Sequence, residues 1–266
     1  MTAAIRAEFR KFFTTRLWWG MAIAIFVAGI AFALLFGFLL TGEQATGGAG
    51  PGQMPTGTDE QIANSVYTGG LSVGYLLTLT IGVLQIGSEY RHKTVTGTFL
   101  AVPKRAKVML AKIVALLGLG ALYGIISLAG SVLTGAVVLN ARGFDPFPSS
   151  EIIRTLALSL LVLGLWALIG LGAGILIPNQ VAALLIAVGV AWIVEPLIGF
   201  ALTFWDWGAE HLAKFLPSQA TNAMINAVTS GDEVRLEWWG GALVLALYAA
   251  VLAGVGSWRT VRADIS

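Results

Sequence analysis

Cysteine is absent from the 266 residues, histidine occurs twice, and only 11% of the chain is charged. Without a thiol there is no disulfide framework, no thiolate zinc or iron–sulfur site and no cysteine nucleophile. His92 and His211 share no metal-ligand spacing, so no metal or cofactor is indicated in this chain. An excess of one charge is missing too. Sixteen Lys and Arg against fourteen Asp and Glu leave a net charge of +2, which excludes the concentrated basic face of a nucleic-acid binder. No G-x-x-x-x-G-K-[ST] occurs, so the chain carries no phosphate-cradling loop of the Walker type. Nor is there an H-E-x-x-H or an aspartate-rich pair at helical spacing, and no catalytic residue is assigned.

What is present is apolar: 57% of the residues are hydrophobic, whereas a soluble domain spends about 25% of its residues on charge. Lipid is the expected solvent. A bilayer core about 30 Å thick takes about 20 apolar residues in a helix, and six runs qualify: Trp18–Leu40, Val66–Ser88, Ile113–Leu139, Thr155–Ile177, Val181–Thr203 and Trp238–Trp258. The expected fold is an all-α integral membrane protein, one transmembrane domain over residues 1–266, with 1–17 as an interfacial helix. The first run, at 23 residues, exceeds the 7–15 residue core of a signal peptide and reads as a retained span. Pro178-Asn179-Gln180 turns the chain between the fourth and fifth runs and makes them an antiparallel hairpin.

Lys and Arg near span ends set direction. Twelve of the sixteen lie in the N-terminal arm, in the connection between spans two and three, and in the tail; ten of the fourteen acids lie on the other side. Both termini are therefore expected in the cytoplasm. Trp18, Trp19, Trp205, Trp207, Trp238, Trp239 and Trp258 sit at or just beyond span ends, where an indole prefers the interface.

Three segments stand out from this apolar background. In the arm, Ile5, Phe9, Phe12, Phe13 and Leu17 share one helical face while Arg6, Arg10, Lys11 and Arg16 face elsewhere, the pattern of a helix lying on a membrane. It is either a plain anchor or a device that transmits movement. The connection after span two carries Phe99, Leu100 and Val102 between basic flanks, too apolar for free coil, so a partner or lipid docks there. Glu195, followed by Pro196, is the one formal charge within the six runs and lies nine residues before Phe204, about 12 Å from the outer interface. An intramembrane acid points to a substrate path or gate; a hydrated or neutral acid at a proline kink is the competing reading.

In topology and in the connection after span two, the chain resembles the type-2 permeases of ATP-binding-cassette exporters. Their coupling segment runs acid, basic pair, Gly-Thr, a Leu-x-x-Pro turn, a basic residue, then a Lys opening span three. Glu89, Arg91, His92, Thr94, Leu100, Pro103, Arg105 and Lys112 follow that pattern, while Lys93 stands where the family often has glycine.

The resemblance implies that residues 89–107 form a cytoplasmic coupling helix seated in a separate ATP-binding subunit, with Phe99 at its centre. ATP and Mg would be held by that partner and none by this chain. It further implies a second permease copy, identical or not, and short external re-entrant helices over residues 204–237. The expected function is that of a non-enzymatic subunit in a bacterial plasma membrane exporting a hydrophobic or amphipathic molecule, a drug or antibiotic first and a lipid or glycan precursor second. A membrane enzyme acting on lipid or peptide, or a passive channel or scaffold, is the alternative.

Overall fold

The computed structural model describes residues 2–42, 58–92, 105–226 and 236–262, and every regular element among them is helical. In chain order these are α1 (Thr2–Phe13), α2 (Leu17–Leu40), α3 (Asp59–Thr68), α4 (Leu71–Arg91), α5 (Arg105–Ala141) and α6 (Glu151–Leu176). They are followed by α7 (Gln180–Gly189), a π-helical turn Val190–Val194, α8 (Glu195–Leu202), α9 (Asp206–His211), a short 3-10 turn Ala213–Phe215, α10 (Pro217–Ile225) and α11 (Trp238–Arg262). Six stretches are long and apolar enough to cross a membrane: Leu17–Leu40, Asp59–Arg91, Lys107–Ala141, Glu151–Leu176, Gln180–Leu202 and Trp238–Val255. The protein is a multi-pass helical membrane protein.

The runs expected from hydropathy coincide with these helices, and two of the helices are longer for a visible reason. The second begins at Asp59 because Thr58 caps α3: its hydroxyl accepts the Gln61 N–H while the Gln61 side chain accepts the Thr58 N–H. That polar first turn lies outside any hydropathy window. The third begins at Arg105, since Lys107 and Lys112 interrupt the uncharged run without interrupting the helix.

Helices α4, α5 and α6 form the core, and small residues set their spacing. A Cβ added at Gly170 would collide with the Leu79 carbonyl, one at Gly82 with the Ala167 carbonyl, and one at Gly120 with the backbone of Gly164. The pairs Gly70/Gly74, Gly120/Gly124 and Gly170/Gly174, each two small residues four apart, all sit at such close approaches. Around this core, α2, the α7–α8 span and α11 turn most of their apolar surface outward. Leu185, Trp192, Phe200, Leu243 and Leu247 are all exposed. Water would penalise so continuous an apolar belt; lipid tails do not.

Residues 93–104, the middle of the expected coupling helix 89–107, lie outside the described residues. Their flanks are continuous with spanning helices: Glu89–Arg91 is the last turn of α4, and 105–107 is the first turn of α5.

Candidate functional site

Two polar centres interrupt the apolar bundle. The first joins α1 to both flanks of the connection 93–104. Lys112 is 1% exposed, Glu8 3% and Glu89 5%, so three charges share one interior. Lys112 Nζ lies 2.8 Å from Glu8 Oε2 and 2.6 Å from Glu89 Oε1; Lys11 Nζ lies 2.7 Å from Glu8 Oε1 and 2.6 Å from the same Glu89 oxygen. Gln85 adds its amide, donating to Glu8 Oε2 at 3.2 Å. Two acids and two bases alternate and sum to zero, the arrangement in which a buried charge is tolerated, since removing an ion from water costs several kcal/mol. Burial works against the charge on Glu8, but Lys112 and Lys11 outweigh it and hold the carboxyl below its ordinary value of 4.5. Burial likewise opposes the Lys11 ammonium, and its bonds to Glu8 and Glu89 raise it above the ordinary 10.5.

This cluster refines the reading of the arm. The arm does not lie with all of Ile5, Phe9, Phe12, Phe13 and Leu17 toward one apolar medium: Phe12 and Glu8 are buried in the protein, while Phe13 and Leu17 are exposed. The ion pairs turn α1 so that its acid faces the bundle. Glu8, Glu89 and Lys112 are buried about as fully as Glu195, although all three lie outside the six apolar runs. Sequence alone missed Glu8, Lys11 and Gln85 as members of one site; the available signal was an acid three residues before a lysine in an otherwise basic arm.

Of the residues expected to meet an ATPase, Glu89 is therefore internal, whereas Arg91 and His92 are exposed at the end of α4. His92 Nδ1 lies 2.8 Å from the Ser88 carbonyl oxygen, a contact that calls for a proton on that nitrogen. Arg105 opens α5. Thr94, Phe99, Leu100 and Pro103 lie outside the described residues.

The second centre is at the far half of the bundle and is built on Glu195. Pro196 has no N–H and its ring crowds the carbonyl one turn back, so an α-helical ladder cannot run through it. The chain answers with a π turn: the Glu195 N–H reaches back five residues to the Val190 carbonyl. Glu195 is 5% exposed, and its carboxyl accepts the backbone N–H of Ser218 at the start of α10. Helix α10 reaches well into the bundle. Its Thr221 hydroxyl accepts the indole N–H of Trp166 at 2.9 Å, and Trp166 is the sixteenth residue of α6, about 22 Å along that helix. Tyr75 stacks on the same indole with ring centres 4.4 Å apart. At its end α10 stops on Asn226, in the left-handed conformation, whose carbonyl accepts from Asn64 at 3.5 Å.

Beside this scaffold is a cavity of about 270 Å³. Phe32 and Phe36 of α2 form one wall, Thr68, Ser72 and Tyr75 another, and Ser218 and Thr221 of α10 a third. The cavity is assembled from α2, α3, α4 and α10; Glu195 and Pro196 do not line it, and Glu195 reaches its wall through the backbone N–H of Ser218. Among the described residues, no three His, Asp or Glu side chains are grouped to hold a metal ion.

These features define a class, a six-span helical membrane protein with a buried charge cluster at one end and a cavity of rings and hydroxyls toward the other. No protein-family model matches the chain, and no curated protein and no solved structure matches it either.

Proposed function

We propose that this chain is the permease subunit of an ATP-driven exporter of the type-2 ATP-binding-cassette kind. Two permease chains work with a separate ATPase and move a hydrophobic or amphipathic molecule outward, a drug or antibiotic before a lipid or glycan precursor. The proposed setting is a bacterial plasma membrane with both termini in the cytoplasm. The observation that carries this reading is the cluster of Glu8, Lys11, Glu89 and Lys112. It ties α1 to the two helices that flank the basic connection 93–104, so a displacement of that connection is shared by α1, α4 and α5 rather than absorbed locally. A short-range charge lattice transmits rigid-body motion because its members lose several kcal/mol if they separate. The chain lacks a Walker loop, and a motor that acts on this handle must come from elsewhere. In this reading α9 and α10 are re-entrant helices covering the exit side.

The test uses the absence of native cysteine. Phe99→Cys gives the chain a single thiol, to which a photo-crosslinker is attached in native membranes. A crosslink to a nucleotide-hydrolysing subunit is expected, with none from the same probe at Leu247→Cys on the lipid-facing side of α11. Crosslinks from Phe99→Cys to lipid alone would overturn the assignment.

A further inference from the structure

The cavity between α2, α4 and α10 has a chemistry that selects its occupant. Three hydroxyls on its wall have already committed their hydrogens. Thr68 donates to the Asn64 carbonyl at 2.6 Å, Ser72 to Gly69 at 3.0 Å and Thr221 to Pro217 at 2.9 Å, each to backbone three or four residues back. A hydroxyl that has spent its proton still offers lone pairs. These three hydroxyls therefore face the cavity as acceptors, beside the Tyr75 phenol and the Asn222 amide, which can also donate.

Glu195 stands one hydrogen bond behind this wall, held by the backbone N–H of Ser218. Among the described residues no Lys, Arg or His pairs with it. The other buried acids are matched: Glu8 and Glu89 each have two lysines. A carboxylate buried in an apolar protein is stabilised by a cation close by, and here the space in which one fits is the cavity. Phe32, Phe36 and Tyr75 supply ring faces that attract a cation and cover an apolar body.

We propose that this cavity binds a compact amphipath carrying a protonated amine: the ammonium N–H groups meet the hydroxyl lone pairs in the field of Glu195, and the apolar part lies against Phe32 and Phe36. Taking this ligand as the exporter's cargo rests on the permease reading above; the binding itself does not, because it needs neither ATP nor a partner.

The experiment separates the two. The purified full chain in phosphatidylcholine nanodiscs is dialysed to equilibrium against phenylethylamine, its alcohol counterpart phenylethanol, and the anion phenylacetate, with empty nanodiscs as the partition blank. Saturable binding of the amine about tenfold tighter than the alcohol is expected, with no saturable binding of the anion. Glu195→Gln keeps an acceptor for the Ser218 N–H but removes the charge, and should bring amine and alcohol to within about threefold of each other. Ser72→Phe fills the cavity and should abolish saturable binding of both. Equal affinities for amine and alcohol in the unmodified chain, binding of the anion, or amine binding that survives Ser72→Phe would each overturn the proposal. None of these outcomes bears on whether an ATPase drives the chain.

Discussion

Lys112 is the residue on which the charged end of the bundle turns, because it alone meets both Glu8 and Glu89 from within the protein, while Lys11 reaches them from the surface with its side chain 42% exposed. Lys112→Met leaves two buried carboxylates with one half-solvated lysine between them. The expected cost is about 3 kcal/mol, at the low end for loss of one partner of a buried pair, read as a fall in melting temperature of the purified protein. The pH dependence has a definite sign. Glu8, held below 4.5, contributes stability that is present above that value and is lost as pH falls through its lower folded value. Lys11, raised above 10.5, contributes stability that is present below that value and is lost as pH rises through its higher folded value. The cluster is therefore flat across neutral pH, and Glu8→Gln should erase the acid arm of the melting curve. Little of this could be read from the sequence. Glu8 and Lys112 are 104 positions apart, each looks like an ordinary charge flanking a span, and only the fold shows that they meet. Glu195 was legible as a lone acid among apolar neighbours; its binding to Ser218, across a loop, was not.

Elements were easier to see than their contacts, since a helix that must satisfy its backbone in lipid announces itself by an unbroken apolar run. Thr155–Ile177 became Glu151–Leu176 and Val181–Thr203 became Gln180–Leu202. The misplaced ends have a common cause: capping residues such as Thr58 and charged first-turn residues such as Lys107 continue a helix beyond the stretch that lipid requires. Pro196 signalled an interruption, and the fold resolved it as a π turn instead of a break. The glycine pairs were ambiguous in a chain with 33 glycines, yet the crossing of α4 and α6 depends on them. At Gly170 an added methyl meets backbone, which cannot rotate away. Gly170→Ala should therefore cost at least about 1–3 kcal/mol by overpacking. Gly20→Ala, where nothing lies within 4 Å of the new atom, should change stability by less than about 1 kcal/mol. Parallel melting curves of the two variants make the comparison, and equal effects would show that the close crossing is not a constraint.

The whole molecule combines a tightly packed centre of α4, α5 and α6 with outlying helices whose apolar faces look outward. The charge cluster lies where α1 and the ends of the basic connection converge, and the cavity lies against α2 and α10, so the proposed handle and the proposed binding site occupy different parts of one bundle. Helices α4 and α5 belong to the charge cluster, and α4 also walls the cavity, which makes it the direct mechanical route between them. The measurement that bears most directly on this account is ATP turnover by the protein isolated gently from its native membrane, compared between the natural chain and the double variant Arg91→Glu, Arg105→Glu. Turnover by a companion subunit is expected with the natural chain and should fall to background when the two charges are reversed, with α-helical content and membrane insertion unchanged. A natural chain that transports while no nucleotide-hydrolysing companion is present, or turnover indifferent to the reversal, would contradict it.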